Sequence, residues 1–173
     1  MTTENDFRLS SERFDLRPIA SADATPLHEL WTEESVREFL WDGEAIPFEQ
    51  TQGVIVESGR LFREERLGIW GIREREVDAL VGFAGYWYFR EPPVLELLFG
   101  VAADRQGQGI ATEAARVLIR YAFEQLGLPT IEASTDFGNK ASVRVLEKLG
   151  MSLTERRVAD GLDTWFYSLT ADS

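Results

Sequence analysis

Two closely spaced glycines stand in the segment from residue 105 to residue 112, which reads Arg-Gln-Gly-Gln-Gly-Ile-Ala-Thr. This segment lies between a strand-like and a helix-like pattern. Because glycine lacks a Cβ atom, backbone N–H groups there can close on an anion at the helix N-terminus. A pyrophosphate is the ligand that suits such a loop best, because its two charged groups need several hydrogen-bond donors that converge on them. The alternative is a tight strand-to-helix turn that binds nothing.

The spacing of the glycines argues against two other phosphate-binding loops. A Walker loop needs Lys-Ser or Lys-Thr after its last glycine, and neither follows Gly109. The dinucleotide fingerprint needs a glycine or alanine where Thr112 stands, and it usually opens a domain, whereas this loop comes after residue 100. Triphosphate chemistry and dinucleotide binding are therefore disfavoured.

Two polar side chains outside the loop also stand in unusual settings. Glu96 lies within the apolar run Val94–Ala102. Its carboxylate is either desolvated, which would raise its pKa and suit a general base, or it points to solvent from a sheet surface. Glu113 and Glu132 are weaker candidates, since we expect Glu113 to face out of its helix. Asn139 directly precedes a helical pattern and suits an N-cap.

Composition excludes several classes of function. The chain has no cysteine, which excludes a disulfide framework, a thiolate metal site and a cysteine nucleophile, and its one histidine, His28, has no neighbours that suggest a triad or a metal site. A net charge of −12 disfavours nucleic acid. It is compatible with a cationic acceptor, although solubility explains it equally well.

No run approaches the ~20 apolar residues of a membrane span. With no secretory signal visible, we expect a cytoplasmic protein.

The 173 residues suit a single domain with a core over about residues 11–169. The apolar patterns predict strands over 14–19, 67–73, 79–89, 94–102, 130–134 and 165–169, and helices over 21–41, 50–66, 111–126 and 139–149. Residues Val117, Leu118, Tyr121, Ala122 and Leu126 form a stripe on the helix that follows the glycines. Strands and helices in this order predict a mixed α/β domain with hairpin and crossover connections.

Several segments resemble one enzyme family. The pattern Gln106-x-x-Gly109-x-Ala111 matches the Gln/Arg-x-x-Gly-x-Gly/Ala motif of the GNAT superfamily of N-acetyltransferases. The stretch 96–115 more closely resembles the Rim-type branch, the ribosomal-protein acetyltransferases RimJ and RimL. Segments 11–18, 81–82 and 139–150 agree with that branch in the same strand and helix order. The resemblance therefore covers nearly the whole chain.

The resemblance implies a GNAT fold, a mixed and mostly antiparallel sheet that splays between its fourth and fifth strands, with acetyl-CoA in the V and no metal. It assigns the pantetheine arm to backbone groups of Phe99, Gly100 and Val101. It assigns the pyrophosphate to the loop residues Gln106, Gly107, Gln108, Gly109, Ile110, Ala111 and Thr112. Asn139 would contact the cofactor arm from the other side.

The implied chemistry is attack of a neutral amine on the thioester. No cysteine can carry the acetyl group, which favours direct transfer. Glu96 falls where Rim-type enzymes carry a glutamate thought to act as the base, and a backbone N–H at a bulge in the fourth strand would stabilise the oxyanion. Many relatives place a tyrosine acid where this chain has Leu146. Ser142 stands where the Rim-type branch has a serine thought to bond the thiol. Tyrosines 86, 88 and 121 are alternative donors, although Tyr121 suits the core better.

The acceptor remains open at this level: a protein N-terminus, a polyamine, an amino sugar or an antibiotic amine. Aromatic and apolar residues could wall its site, although we expect at least half of them to be structural: Trp31, Phe39, Leu40, Trp41, Tyr86 and Trp87. A second hypothesis is a catalytically idle acyl-CoA-binding domain used for regulation. Homodimers are common among relatives.

Overall fold

The computed structural model describes residues 4–172. Its helices are α1 (Ala24–Thr32), α2 (Glu34–Leu40), α3 (Phe48–Glu65), α4 (Ile110–Glu124) and α5 (Lys140–Lys148). Its strands are β1 (Leu9–Ser10), β2 (Phe14–Pro18), β3 (Ile69–Glu74), β4 (Leu80–Phe89), β5 (Val94–Val101), β6 (Thr130–Asp136), β7 (Ser152–Ala159) and β8 (Leu162–Thr170). Each predicted strand and helix is therefore present with its ends shifted by a few residues, except that the predicted helix over 21–41 is divided at Glu33 into α1 and α2.

The strands form one sheet in the order β1-β2-β3-β4-β5-β6-β8-β7. All neighbours are antiparallel except β5 and β6, which are parallel and pair at a single register position, Glu96 opposite Glu132. Beyond that position the two strands diverge toward their carboxyl ends. The predicted mixed, mostly antiparallel and splayed sheet is confirmed. The diverging strands carry the numbers five and six because the short β1 adds one strand at the start.

Both faces of the central strands are covered by helices. Ile69 and Phe83 belong to an apolar cluster with α1 and α2, whereas the next residues along their strands, Trp70 and Ala84, pack in the cluster that contains α4. Alternate side chains of a strand point to opposite faces, so each of these strands contributes to both clusters. This double burial holds the middle of the sheet firmly beneath the diverging ends of β5 and β6.

The predicted stripe of α4 is buried in its middle. Leu118, Tyr121 and Ala122 are inaccessible or nearly so, and they pack on the sheet face that carries Trp70. Val117 and Leu126 are only half-buried at its edge. The helix therefore has a fixed orientation on the sheet, with its N-terminus at the divergence of β5 and β6.

Strand β7 was not predicted from the sequence. Every residue from Ser152 to Val158 is exposed, and Glu155, Arg156 and Arg157 stand in its middle. It is the edge strand of the sheet and pairs only with β8. Charged side chains on an edge strand discourage pairing with other chains. They also remove the apolar alternation by which strands are recognised, because no face of β7 is buried.

Candidate active site

A cavity of about 760 Å³ lies between the diverging strands, within the usual range for small-molecule sites. Its walls are the length of β5 from Glu96, the glycine loop, the first turn of α4, the end of β6, the inner face of α5 and part of α2. The sheet geometry creates this space, because no strand fills the gap that opens after Glu96 and Glu132.

The glycine loop forms one end of the cavity. Gly107 and Gly109 have φ values of 77° and 75°, in the left-handed region that glycine enters without strain. Gly109 is the N-cap of α4, and no side chain caps that helix. The first N–H groups of a helix have no partner within it. The loop therefore offers uncapped backbone donors and the positive end of a helix dipole to an anion.

Six of the seven predicted loop residues line the cavity, and Gln108 does not. The Gln108 side chain instead accepts a hydrogen bond from Arg105 Nε at 3.5 Å. Gln106 turns inward, and its Nε2 donates to the Val101 carbonyl at 3.1 Å. This bond links the loop to the end of β5, so the two expected cofactor segments are held in register with each other.

A charged network fixes the loop from its outer side. Arg13 Nη2 donates to the Gln108 carbonyl at 3.0 Å, and Arg13 Nε donates to Glu113 at 2.7 Å. Glu113 also accepts from the Ser11 hydroxyl and from the Arg13 backbone N–H. The expectation that Glu113 faces away from the cofactor side is met, but it faces the N-terminal segment and not open water. Glu113 thus fastens the start of β2 to the first turn of α4.

The protonation of Glu113 reflects this network. Burial raises the pKa of its carboxyl group, but the Arg13 backbone N–H, the Ser11 hydroxyl and the Arg13 guanidinium together outweigh burial, so the pKa lies below its ordinary value. A carboxyl group whose pKa is lower in the folded state than in the unfolded state stabilises the fold at pH values above the unfolded-state pKa, ~4.3. This stabilisation is lost as the pH falls through the folded-state pKa.

We therefore expect Glu113→Gln to lower the free energy of unfolding at pH 7 by about 1 kcal/mol, the scale of a charge-assisted hydrogen bond near the surface. The difference from the wild type should shrink below about pH 4, where the native carboxylate becomes protonated. Urea denaturation across this range measures it. Glu124→Gln, on the exposed face of the same helix, is the control. Equal losses in both variants at pH 7 would contradict a specific role for Glu113.

The backbone of β5 forms the floor of the cavity. The strand pairs with β4 without interruption, from Val94 opposite Phe89 to Val101 opposite Gly82. The expected bulge in this strand is therefore wrong. Backbone groups are freed at the other edge instead, because β6 pairs with β5 only at Glu96. The edge groups that face β6 along Phe99, Gly100 and Val101 have no strand partner and border the cavity, and of these the Val101 carbonyl already accepts from Gln106.

Glu96 is buried, with 2% of its surface exposed, and it lines the cavity. Of the two environments predicted for Glu96, buried or pointing to solvent, this confirms the buried one. Its Oε2 lies 3.0 Å from Arg90 Nη2, while its Oε1 is buried with no hydrogen-bond partner among the described residues. Buried polar atoms are nearly always partnered. An orphaned carboxylate oxygen at a cavity wall is therefore an acceptor for a group that the cavity admits.

Arg90 was missed by the sequence analysis. Its guanidinium pairs with Glu96 and lies over the ring of Phe166, 4.6 Å from the centroid. It follows β4 directly, and the hairpin brings it back beside β5, six residues before Glu96. The register of the hairpin between β4 and β5 could have indicated Arg90 from the sequence. The ion pair fixes the orientation of Glu96 and satisfies one of its two oxygens.

Asn139 and Ser142 begin α5 and both line the cavity. Asn139 Oδ1 accepts a hydrogen bond from the Ser142 N–H at 3.1 Å, which confirms the predicted N-cap. Leu146 lies one turn after Ser142 on the same face, is 1% exposed and also lines the cavity. Ser142 is therefore a side chain of α5 with a hydroxyl group at the cavity wall, whereas Leu146 offers no hydrogen-bond donor.

Tyr86 and Tyr88 are wrong as alternative donors and Tyr121 is a core residue as expected, because each hydroxyl is engaged elsewhere and none borders the cavity. Tyr86 donates to the Leu118 carbonyl at 2.9 Å, and burial raises its pKa well above its ordinary value. Tyr121 donates to the Arg66 carbonyl at 2.6 Å, and Tyr88 donates to Glu65.

The prediction of the residues that line the acceptor site is partly correct. Phe39 and Leu40 line the cavity, as do Phe89 and Leu162, which the sequence analysis did not select. The other four predicted residues do not line it: Trp31, Trp41, Tyr86 and Trp87. Trp31 and Tyr86 are core residues at 1% exposure. More than half of the six aromatic and apolar candidates are therefore structural, as expected from their helical spacing.

His28 has a structural environment. Its Nδ1 lies 2.8 Å from Thr51 Oγ1, and its ring packs edge-on against Phe48. Within residues 4–172 no group of three or more His, Cys, Asp or Glu side chains could hold a metal ion. None of the described helices is long and apolar enough to cross a membrane.

A family model described as an acetyltransferase (GNAT) domain matches residues 13–152. This chain belongs to the GNAT acetyltransferases. It is 27% identical over 168 residues to the uncharacterised N-acetyltransferase p20 of Bacillus licheniformis, covering 93% of this chain and 94% of the relative. An acetyltransferase structure from Agrobacterium tumefaciens superposes with a TM-score of 0.82 at 26% identity, over 94% of this chain and 93% of that one.

The structural neighbours of this acetyltransferase include the Rim-type enzymes that the motifs resembled. RimL, a ribosomal L7/L12 alpha-N-protein acetyltransferase in complex with coenzyme A, superposes with a TM-score of 0.79 over 94% of this chain and 96% of its own, at 16% identity. GNAT enzymes use acetyl-CoA as co-substrate. The cavity of this acetyltransferase fits that molecule chemically, because uncapped donors for phosphate lie at one end and free strand-edge groups for an amide arm lie along its floor.

Proposed function

We propose that this acetyltransferase moves the acetyl group of acetyl-CoA directly to a primary amine, without a covalent enzyme intermediate, and that Glu96 is its general base. The observation that carries the proposal is the orphaned Oε1 of Glu96. It is a buried acceptor at the wall of the cavity, on the strand whose free edge leads to the phosphate loop.

The acetyl donor would lie along the divergence of β5 and β6. The N–H groups at the start of α4, with Gly107 and Gly109, would hold the pyrophosphate. Backbone groups of Phe99, Gly100 and Val101 would bond the amides of the pantetheine arm as a neighbouring strand would. Asn139 Oδ1 is used by the helix cap, so its amide nitrogen remains to contact the arm.

Different residues of the chain then carry out the different steps of acetyl transfer. Glu96 Oε1 takes a proton from the attacking amine, while Arg90 holds Oε2 and fixes the carboxylate in place. A free N–H on the edge of β5 stabilises the charge that grows on the carbonyl oxygen. Ser142 Oγ donates to the sulfur as the C–N bond forms and the C–S bond breaks. An α-ammonium group, of pKa about 7.7–8.0, is partly neutral near pH 7 and needs only one such base.

Ser142→Ala tests the contact to sulfur. We expect kcat to fall about tenfold, because a hydrogen bond to a developing charge, about 1.5 kcal/mol, strengthens as the thiolate leaves. The affinity for acetyl-CoA should change much less. Steady-state kinetics with calorimetric binding separates the two effects, and Ser152→Ala, at an exposed position, is the control. Unchanged kcat would assign Ser142 to packing. Recovery of activity in Ser142→Ala/Leu146→Tyr would show that any donor at this face of α5 serves the sulfur.

The proposed function is tested by acetyl-CoA turnover against peptides and small amines, with free thiol as the readout. We expect thiol release that depends on the acceptor, and an N-acetylated product by mass spectrometry. Tight binding of acetyl-CoA with no turnover for any amine would support the idle, regulatory alternative. The proposal retains the expected cytoplasmic location and a homodimer, which cell fractionation and light scattering would check.

A further inference from the structure

Four basic side chains line the cavity. Arg105 precedes the phosphate loop and pairs with Glu74, Arg144 and Lys148 lie on α5, and Arg90 pairs with Glu96. Lys148 also borders a smaller hollow beside Gly109 that contains Arg116. Lys148 and Arg116 therefore place positive charge beside the loop expected to receive the anionic cofactor.

Four acidic side chains besides Glu96 line the cavity. Glu38 comes from α2, Asp42 from the turn after it, Asp136 from the end of β6 and Asp160 from the turn between β7 and β8. None of the four forms a salt bridge with a described residue. We call these four residues the acidic mouth.

Two members of the acidic mouth are close enough to repel each other. Burial raises the pKa of Asp136, and the negative charge of Asp42 raises it further. The segments that carry them approach each other, since Phe39 Cε1, three residues before Asp42, lies 3.9 Å from where a Cβ atom would stand on Gly138, two residues after Asp136. Like charges held together without a counter-ion are unfavourable, and a bound cation would relieve that cost.

The orphaned Oε1 of Glu96 is an independent observation in the same cavity. It is a buried acceptor with no partner, and it lies on β5 at the level of Glu132. Asp136 lies four residues further along β6, a separation of ~13 Å at the rise of a strand. A single amine cannot meet both Glu96 and the acidic mouth. A chain with an amine at each end could, and Phe39 and Phe89 provide apolar wall for its methylene groups.

We infer that the acceptor is a small linear polyamine, whose terminal amine is acetylated beside Glu96 while a second ammonium group lies between Asp42 and Asp136. This inference rests on the proposed function and gives it a substrate class. Both amines are cations near pH 7, since an alkylamine has a pKa of about 10.4. The amine beside Glu96 therefore loses one proton to bulk water before it attacks and a second proton to Glu96 as the C–N bond forms. The negative mouth also attracts such a molecule from solution.

The kinetic test compares spermidine with butylamine, which has one amine only. We expect kcat/KM for spermidine to exceed that for butylamine by at least tenfold. The double variant Asp42→Asn/Asp136→Asn should bring this ratio close to one, whereas Asp172→Asn, an exposed control outside the cavity, should keep it. Equal kcat/KM values for the two amines in the wild type, or an unchanged ratio in the double variant, would overturn the inference.

A binding test does not depend on turnover. Spermidine is titrated by calorimetry into the protein saturated with coenzyme A, which carries no acetyl group. We expect binding that weakens at least fivefold in the double variant. It should also weaken with added salt, because salt screens the attraction between the ammonium groups and the carboxylates. No measurable binding to the wild type would overturn the inference.

The outcomes separate the two proposals. Acetyl transfer to all amines, regardless of a second charge, would overturn the polyamine class and leave the enzyme. Spermidine binding without acceptor-dependent thiol release from any amine would overturn the proposed function. A peptide with an N-terminal alanine followed by two lysines is the competitor. A higher kcat/KM for it than for spermidine would assign the acidic mouth to a protein N-terminus and overturn the inference.

Discussion

Glu96→Gln should lower kcat for acetyl transfer by about 10²-fold or more, the usual scale of general base catalysis, with the affinity for acetyl-CoA nearly intact. Glutamine preserves the shape of the side chain but cannot take the proton of the amine. Stopped assays of free thiol, with calorimetric binding of acetyl-CoA, measure both effects.

The chain offers a matched control for this substitution. Glu132 is the register partner of Glu96 on β6, but it is exposed. Glu132→Gln should therefore retain wild-type turnover. Because Glu96→Gln leaves Arg90 without its counter-ion, its melting temperature should fall, and assays belong well below it. Wild-type turnover in a folded Glu96→Gln variant would reduce Glu96 to a structural partner of Arg90 and leave the amine proton to water.

The parts of the site that could be predicted from the sequence rest on local signals. Gly107 and Gly109 have positive φ values that glycine favours, and they directly precede a helix with a clear apolar stripe. Asn139 is an N-cap residue by type and position, and it caps α5 as expected. These features depend on residues close together in the chain, so the sequence displays them without a tertiary structure.

What could not be predicted depends on contacts between distant segments. The orientation of Glu96 is fixed by Arg90 across a hairpin, and Arg90 in turn lies over Phe166 from the far end of the chain. The tyrosines were plausible donors until their hydroxyls were found bonded to carbonyls such as that of Leu118 in the core. The expected bulge in β5 failed for a similar reason, because the free strand edge arises from the divergence of β6 and not from β5 itself.

Gly109→Val should weaken acetyl-CoA binding by about 10²-fold. Valine disfavours the φ of 75° at this position, so the chain would turn the N–H groups at the start of α4 away from the pyrophosphate. The loss of two charge-assisted hydrogen bonds, about 1.5 kcal/mol each, gives a factor of this size. The fold should survive, because the nearest atom to an added Cβ is Arg13 Nη2 at 3.7 Å, an ordinary van der Waals distance.

Gly127→Val separates backbone strain from lost binding. Gly127 has a φ of 66°, with nothing within 4 Å of an added Cβ, and it lies outside the cavity at the far end of α4. Both variants should lose a similar amount of stability in thermal unfolding, because each forces a β-branched residue into the left-handed region. Only Gly109→Val should lose acetyl-CoA affinity by calorimetry. If the two variants bound acetyl-CoA equally well, the backbone of the loop would not hold the pyrophosphate, and the basic side chains of Arg144 and Lys148 would have to hold it instead.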